Sequence, residues 1–168
     1  MVDQMTLQTI SIVLTGIGMM IALMYYAFQI RNQNKTRQAQ LYMPIYARFQ
    51  EKDFMKKYID ILNLWDWDTP QEFHEKYGPR VDMDAYSDYM NVNTYFTGIG
   101  VLVKRKLISP DLVNDLVGDV LVRFWERNEA YLHYLRELRD WPTLGEHFEY
   151  LYHVMKPLVD QHASRARS

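Results

Sequence analysis

The sequence contains no cysteine, which excludes disulfides, thiol nucleophiles, iron–sulfur clusters and cysteine-ligated zinc together. It also lacks the basic excess of a dedicated nucleic-acid binder: 19 Lys and Arg stand against 21 Asp and Glu, and the pI is near 6.2. Nucleic acid is therefore not an expected partner. No internal repeat and no long linker divides the 168 residues, a length that suits one domain. The most informative absence is local. Between Gln4 and Ile30 there is not one charged residue, although the mean hydropathy of the whole chain, -0.33, has the value of a water-soluble protein.

Within that interval Ile10 to Phe28 (ISIVLTGIGMMIALMYYAF) is almost continuously apolar. At about 1.5 Å per residue such a run crosses the roughly 30 Å hydrocarbon core of a bilayer. A cleavable signal peptide would have a basic start, a shorter apolar core and a small-x-small cleavage site. Here the N-terminus carries Asp3 and no Lys or Arg, and the run ends in the bulky YYAFQI. The segment 5–30 is read as an uncleaved transmembrane helix. Arg31, Lys35 and Arg37 follow it directly, and basic residues beside a span stay on the cytoplasmic side. The expected topology is a single pass through the cell inner membrane, N-terminus outside and residues 31–162 as a cytoplasmic domain, with 163–168 as a frayed tail. From Arg31 to Lys57 seven basic residues stand against Glu51 and Asp53, a collar suited to anionic lipid headgroups, with Arg31, Lys35 and Arg37 nearest the membrane. Tyr25, Tyr26 and Phe28 sit where an interfacial aromatic belt belongs.

Alternating steps of four and three residues through the span select Gln4, Gln8, Ser11, Thr15, Gly18, Ala22, Tyr25 and Gln29, and Asn32 and Thr36 continue the register. Most other positions are large and apolar. Small residues let helices approach closely in lipid, and hydroxyls and amides find partners across the contact. The stripe from Gln8 to Gln29 thus predicts a helix–helix interface and a homo-oligomer. In a ring the same face would line water and form a narrow pore.

Beyond the span every segment reads as helix, so the expected class is all-α, one N-terminal transmembrane helix continuing into a helical domain. Met43-Pro44 predicts an end or kink. Phe54, Tyr58, Ile61, Leu62 and Trp65 mark a second helix. Thr69-Pro70-Gln71-Glu72 is a capping box opening a short helix that Gly78-Pro79 ends. A long helix is expected over roughly 84–106. Another follows Ser109-Pro110 and carries Leu112, Leu116, Val120, Phe124, Tyr131 and Leu135 on one face, and a last one runs from about Leu144 to Asp160. Gly98 and Gly100 lie within a helical pattern and fit close helix packing. Trp65, Trp67, Trp125 and Trp141 read as core anchors and loop staples. Eight acidic residues between Tyr58 and Met90 read as a solvated acidic face, with pairing to the collar of another subunit as the alternative.

Catalytic signals are sparse. Arg127 and His133 have the Arg, five residues, His spacing of HEPN ribonucleases, a spacing that composition alone produces about once in a chain with eleven Arg and five His. Glu149 and His153 share a helix face with His147 elsewhere on the helix, which falls short of a metal-binding pattern. No enzyme, cofactor or metal site is indicated.

YFTGIGVLVKRKLISPDLVNDLVGD (Tyr95 to Asp119), followed by Arg123-Phe124-Trp125-Glu126 and the Phe148-Glu149-Tyr150-Leu151 segment, resembles an uncharacterised prokaryotic family of small single-span membrane proteins with a helical cytoplasmic domain. In layout the chain is also similar to the membrane accessory protein of type VI CRISPR systems. That second resemblance implies a ring-shaped pore and a divergent HEPN-like element. The functional expectation is a self-associating membrane protein, with a pore enclosed by its N-terminal helices and the cytoplasmic domain as assembly or gating element. The alternatives are a membrane-tethered scaffold for a cytoplasmic protein partner, presented on an aromatic and acidic surface, and a divergent HEPN-like ribonuclease.

Overall fold

The computed structural model describes residues 4–166, without the side chains of Gln4, Thr6 and Ala166. The described residues form six α-helices and no strand: α1 (Gln4–Gln50), α2 (Lys52–Ile59), α3 (Pro70–Tyr77), α4 (Met83–Lys104), α5 (Pro110–Leu138) and α6 (Glu146–Ala166), with a π-helical turn, Asp60–Leu64, after α2. Residues to Gln40 form one compact unit and residues from Leu41 onward a second.

In the first unit α1 is long and apolar enough to cross a membrane, and none of its most apolar 18-residue window is buried. The helix does not end at Pro44. Proline removes a hydrogen bond and costs about 3 kcal/mol in a helix interior, yet Tyr42 and Phe49 on either side of it are buried in the core of the second unit. Their burial, with the Tyr95 hydroxyl donating to the Ile45 carbonyl at 3.1 Å, holds this stretch in place. The helix ends when Glu51 turns extended (φ -60°, ψ 132°), where Arg48 pairs with the Glu51 carboxylate.

The second unit follows its local signals closely. Thr69 Oγ1 accepts from Glu72 N at 3.2 Å with Pro70 in the first turn, while the Glu72 carboxylate reaches back to Asp68 N at 2.8 Å. Asp82 and Ser109 cap α4 and α5 in the same way. Gly145, at φ +68°, takes a left-handed turn and its carbonyl accepts from Phe148 N and Glu149 N at 3.0 Å; α6 therefore starts after it, two residues later than the expected Leu144. At its other end α6 continues to Ala166, past the expected end at Asp160 and through part of the expected frayed tail; residues 167–168 lie outside the described residues.

Helix α6 packs against both α4 and α5, α2 against α4, and α3 against α4 and α5. The core is aromatic. Phe96 meets Phe49, Phe124 and Phe148 at ring separations of 5.2–6.4 Å, and Phe73 meets Trp67, Tyr89 and Tyr131 at 4.0–5.0 Å. Gly100 is required by this packing, because a Cβ there would run into the carbonyl of His147 on α6. Gly98 is a correction: a Cβ there would meet open space, so it does not mediate close packing. Leu112, Leu116 and Val120 are another. They lie half-buried at the border of the α5 face, and its centre is Val113, Val117, Leu121, Phe124 and Leu135. Contact with α3 and α6 together gives α5 a wider buried arc than one stripe.

Candidate functional site

At about 100° per residue, Gln8, Ser11, Thr15, Gly18, Ala22, Tyr25 and Gln29 fall on one side of α1, with Asn32 and Thr36 below them. Every side chain from Leu7 to Arg37 is exposed. Along the rest of the circumference stand large apolar groups, including Ile12, Met19, Leu23 and Met24 at 65–71% exposure. No Cβ at Gly16 or Gly18 would touch anything, so this stretch presents a bare backbone where the small residues sit.

The hydroxyls and amides of the stripe differ. Thr15 Oγ1 donates to the Ser11 carbonyl at 2.8 Å and Thr36 Oγ1 to the Asn32 carbonyl at 3.1 Å, so the helix itself satisfies these donors. The side-chain amides of Gln8, Gln29 and Asn32 have no partner among the described residues. Each carries two donors and an acceptor that water or a second helix must satisfy.

The collar also divides. Arg48 pairs with Glu51, and Lys56 and Lys57 pair with Asp60 and Asp88 of the acidic stretch, so three of the four downstream cations are matched inside one chain. Arg31, Lys35 and Arg37 are exposed and in no ion pair among the described residues. Nothing on α1 could pair them, since no Asp or Glu occurs from Gln4 to Gln50. The helical angle puts Arg31 and Lys35 to one side of the polar stripe and Arg37 to the other.

The other candidate chemistry does not converge. Arg127 stacks on Trp67, its guanidinium 3.7 Å from the ring centre, and reaches the Trp65 carbonyl at 3.5 Å. His133 lies by Glu129 and Arg136 instead, at 3.7 and 3.3 Å. Six helical positions separate the two by about 240°, which explains their different neighbours. Glu149 is taken by Arg136 at 2.7 Å, and His153 lies against Tyr152. Among the described residues no three His, Asp or Glu side chains gather as metal ligands would.

Of the expected core anchors and loop staples, Trp67 and Trp125 are buried, Trp65 stacks on Tyr77 at 4.4 Å, and Trp141, half exposed, staples its own turn by donating its indole N–H to Thr143 Oγ1 at 3.0 Å. It stands at the rim of a cleft of about 330 Å³ that Asn93, Glu146 and His147 also line. Asn93 and Glu146 carry no sequence signal: one is a polar residue inside a helix, the other an acid in a first helical turn, where acids are common.

The sequence profile of the Domain of unknown function (DUF4760) matches residues 12–154, from within the apolar part of α1 to within α6. The chain belongs to the DUF4760 family. Comparison with curated proteins and with solved structures gives no match. The DUF4760 match takes in Ser11's neighbours from Ile12 onward, the stripe from Thr15 to Gln29, the collar and the aromatic core, so helix and domain belong to one family unit.

Proposed function

We propose that this DUF4760 protein spans the inner membrane once and self-associates through the polar side of α1, enclosing a narrow water-lined path. The supporting observation is that α1 exposes its entire apolar circumference from Leu7 to Arg37 while a line of small and polar residues runs down one side of it. Contiguous apolar surface on this scale is stable against lipid or a partner and not against water. In lipid the Gln8 and Gln29 amides would each be left unsatisfied at a cost of several kcal/mol, so the polar side turns away from the tails. Copies of α1 provide that shelter, with Gly18 and Ala22 permitting close approach. Heptad spacing keeps the stripe inward if the helices coil left-handed about one another. Water in the lumen satisfies the amides, and Tyr25 narrows the cytoplasmic end.

Arg31, Lys35 and Arg37 set the N-terminus outside and meet anionic headgroups. The domain from Leu41, with its own core, holds the assembly together and acts on the pore as a gate. Three measurements test this reading. The chain has no native cysteine, so single cysteines report cleanly. Asp160→Cys in intact cells is expected to be protected from an impermeant thiol reagent; labelling there would reverse the topology. Gly18→Leu is expected to lower the mass of the detergent-extracted particle, with Leu23→Ala as the lipid-facing control. Cysteines at Ser11, Thr15 and Gln29 are expected to react with small soluble reagents faster than those at Leu14 and Leu23. Equal reactivity removes the pore even if the oligomer survives.

A further inference from the structure

The cleft of about 330 Å³ lies in the helical domain, walled by α4, α5 and the turn that enters α6. That volume lies at the small end of the clefts that hold small ligands. Its floor is apolar, from Met90, Leu132 and Leu144.

Asn93, 6% exposed, is one of two buried polar side chains among the described residues, and it faces this cleft. Its Nδ2 donates to the Tyr89 carbonyl at 3.2 Å. A carbonyl can only accept, so the amide nitrogen is fixed on that side and the Oδ1 is left over. That oxygen has no partner in the protein. The oxygen is reached from the cleft, so a ligand that donates to it takes the place of water there. At the edge of the cleft one carboxylate oxygen of Glu146 lies 3.0 Å from His147 Nδ1, while the other is unpartnered and the side chain is half exposed. No Lys or Arg lines the cleft. Trp141, 50% exposed, has its indole N–H committed to Thr143 Oγ1 at 3.0 Å, which leaves the ring face as its free surface.

The groups that face a ligand are the Asn93 amide oxygen, the Glu146 carboxylate, the Trp141 ring face and the Thr94 hydroxyl, which can accept as well as donate, with His147 Nδ1 buried beside Glu146. The first three attract positive charge and hydrogen-bond donors. An anion would meet the Glu146 carboxylate, with no Lys or Arg in the lining to offset it. We infer that the cleft binds a small organic ammonium, a primary amine on an aromatic or short aliphatic body, with its N–H groups toward Asn93 Oδ1, its charge balanced by Glu146 and its body on the apolar floor beside Trp141. This inference is independent of the membrane reading, because every group in it belongs to the domain.

The test uses the full chain in detergent micelles, titrated with 2-phenylethylamine and followed by calorimetry and tryptophan fluorescence. Two controls keep the body and change the head: 2-phenylethanol removes the charge and phenylacetate reverses it. The amine is expected to bind saturably, the alcohol about tenfold more weakly or less, and phenylacetate not at all. Glu146→Gln, at a half-exposed position, is expected to weaken the amine about tenfold with an unchanged unfolding midpoint. Asn93→Leu is expected to abolish binding, and Glu146→Gln carries the test if that variant does not fold. Equal binding of amine and alcohol, unchanged affinity in Glu146→Gln, or no saturable binding at millimolar amine overturns the inference.

Discussion

The two units of this chain deploy the same residue types in opposite directions. Before Gln40, Ile, Leu, Met and Phe point outward and the small and polar residues share one line of the helix. From Leu41 onward the large groups point inward, and most of the tyrosines and tryptophans are buried or half-buried. Among the described residues the ion pairs fall in the second unit alone. Lys56, Lys57, Lys76 and Lys156 of the second unit each have an acid within reach, whereas Arg31, Lys35 and Arg37, like Lys52, Arg80, Arg105 and Lys106 of the second unit, have none. Helix formation is common to both units, so propensity does not separate them. Burial does: the second unit covers its large apolar groups with its own helices, and the first leaves them open.

The comparison breaks most sharply at matched truncations. Phe148 is fully buried between Phe96, Phe124 and Trp125. Phe148→Ala is expected to cost about 3–5 kcal/mol, read from denaturant unfolding followed by near-ultraviolet circular dichroism. Ile17→Ala, which removes an apolar group on α1, is expected to leave that transition unmoved. A common loss in both variants would mean that the first unit folds against the second.

Glycines give the next contrast. Gly100→Ala places a methyl against the His147 carbonyl, and overpacking of this kind is expected to cost about 1–3 kcal/mol in domain unfolding. Gly18→Ala adds the same methyl where nothing lies within 4 Å. Its effect is expected in particle mass alone.

Alkali sharpens the comparison from the other direction. Burial pushes the Tyr58 hydroxyl up to about 12, and it raises those of Tyr42, Tyr89, Tyr95 and Tyr131 as well. The folded domain then holds protons that the unfolded chain releases near pH 10, so stability is complete below that value and falls as pH rises through the folded range. Near-ultraviolet signal is expected to be lost between about pH 10 and 12, coincident with tyrosinate absorbance. Titration of all tyrosines near pH 10 without loss of structure would contradict the packing described here.

Much of this division can be read in the sequence. The charge-free interval announces α1, and Thr69, Pro70, Ser109 and Pro110 announce two helix starts, because those signals depend on neighbouring residues alone. Pro44 misleads for the opposite reason: a local break is overridden by Tyr42 and Phe49, whose partners lie far along the chain. Trp141 reads as a core anchor or a loop staple by residue type, and which of the two it is depends on the turn that follows the positive φ of Asp140, where its indole bonds Thr143. The free oxygen of Asn93 is invisible for a further reason. Which side of an amide is committed depends on the neighbouring carbonyl, a fact of geometry that composition does not carry.

The smallest expected effect uses one residue type in both units. Thr69 Oγ1 accepts from Glu72 N and thereby satisfies a donor that the first turn of α3 leaves free. Thr69→Ala removes that acceptor and is expected to lower domain stability by about 1 kcal/mol. The cap is coupled to charge. Glu72 is held below the usual carboxylate range first by the Asp68 N–H and then by Lys76, so its share is present above that range and fades as pH falls through the lowered value. The difference between Thr69→Ala and the parent should therefore be measured at neutral pH and again near pH 3, where a smaller gap is expected. Thr15 Oγ1, by contrast, donates to a Ser11 carbonyl that already accepts a helical bond, so Thr15→Ala exposes no unsatisfied backbone group. It is expected to leave domain unfolding unchanged at both pH values and to act, if anywhere, on particle mass. A Thr15→Ala loss equal to that of Thr69→Ala would show that α1 and the domain unfold as one cooperative unit, and the contrast between the two regions would then be one of surface alone.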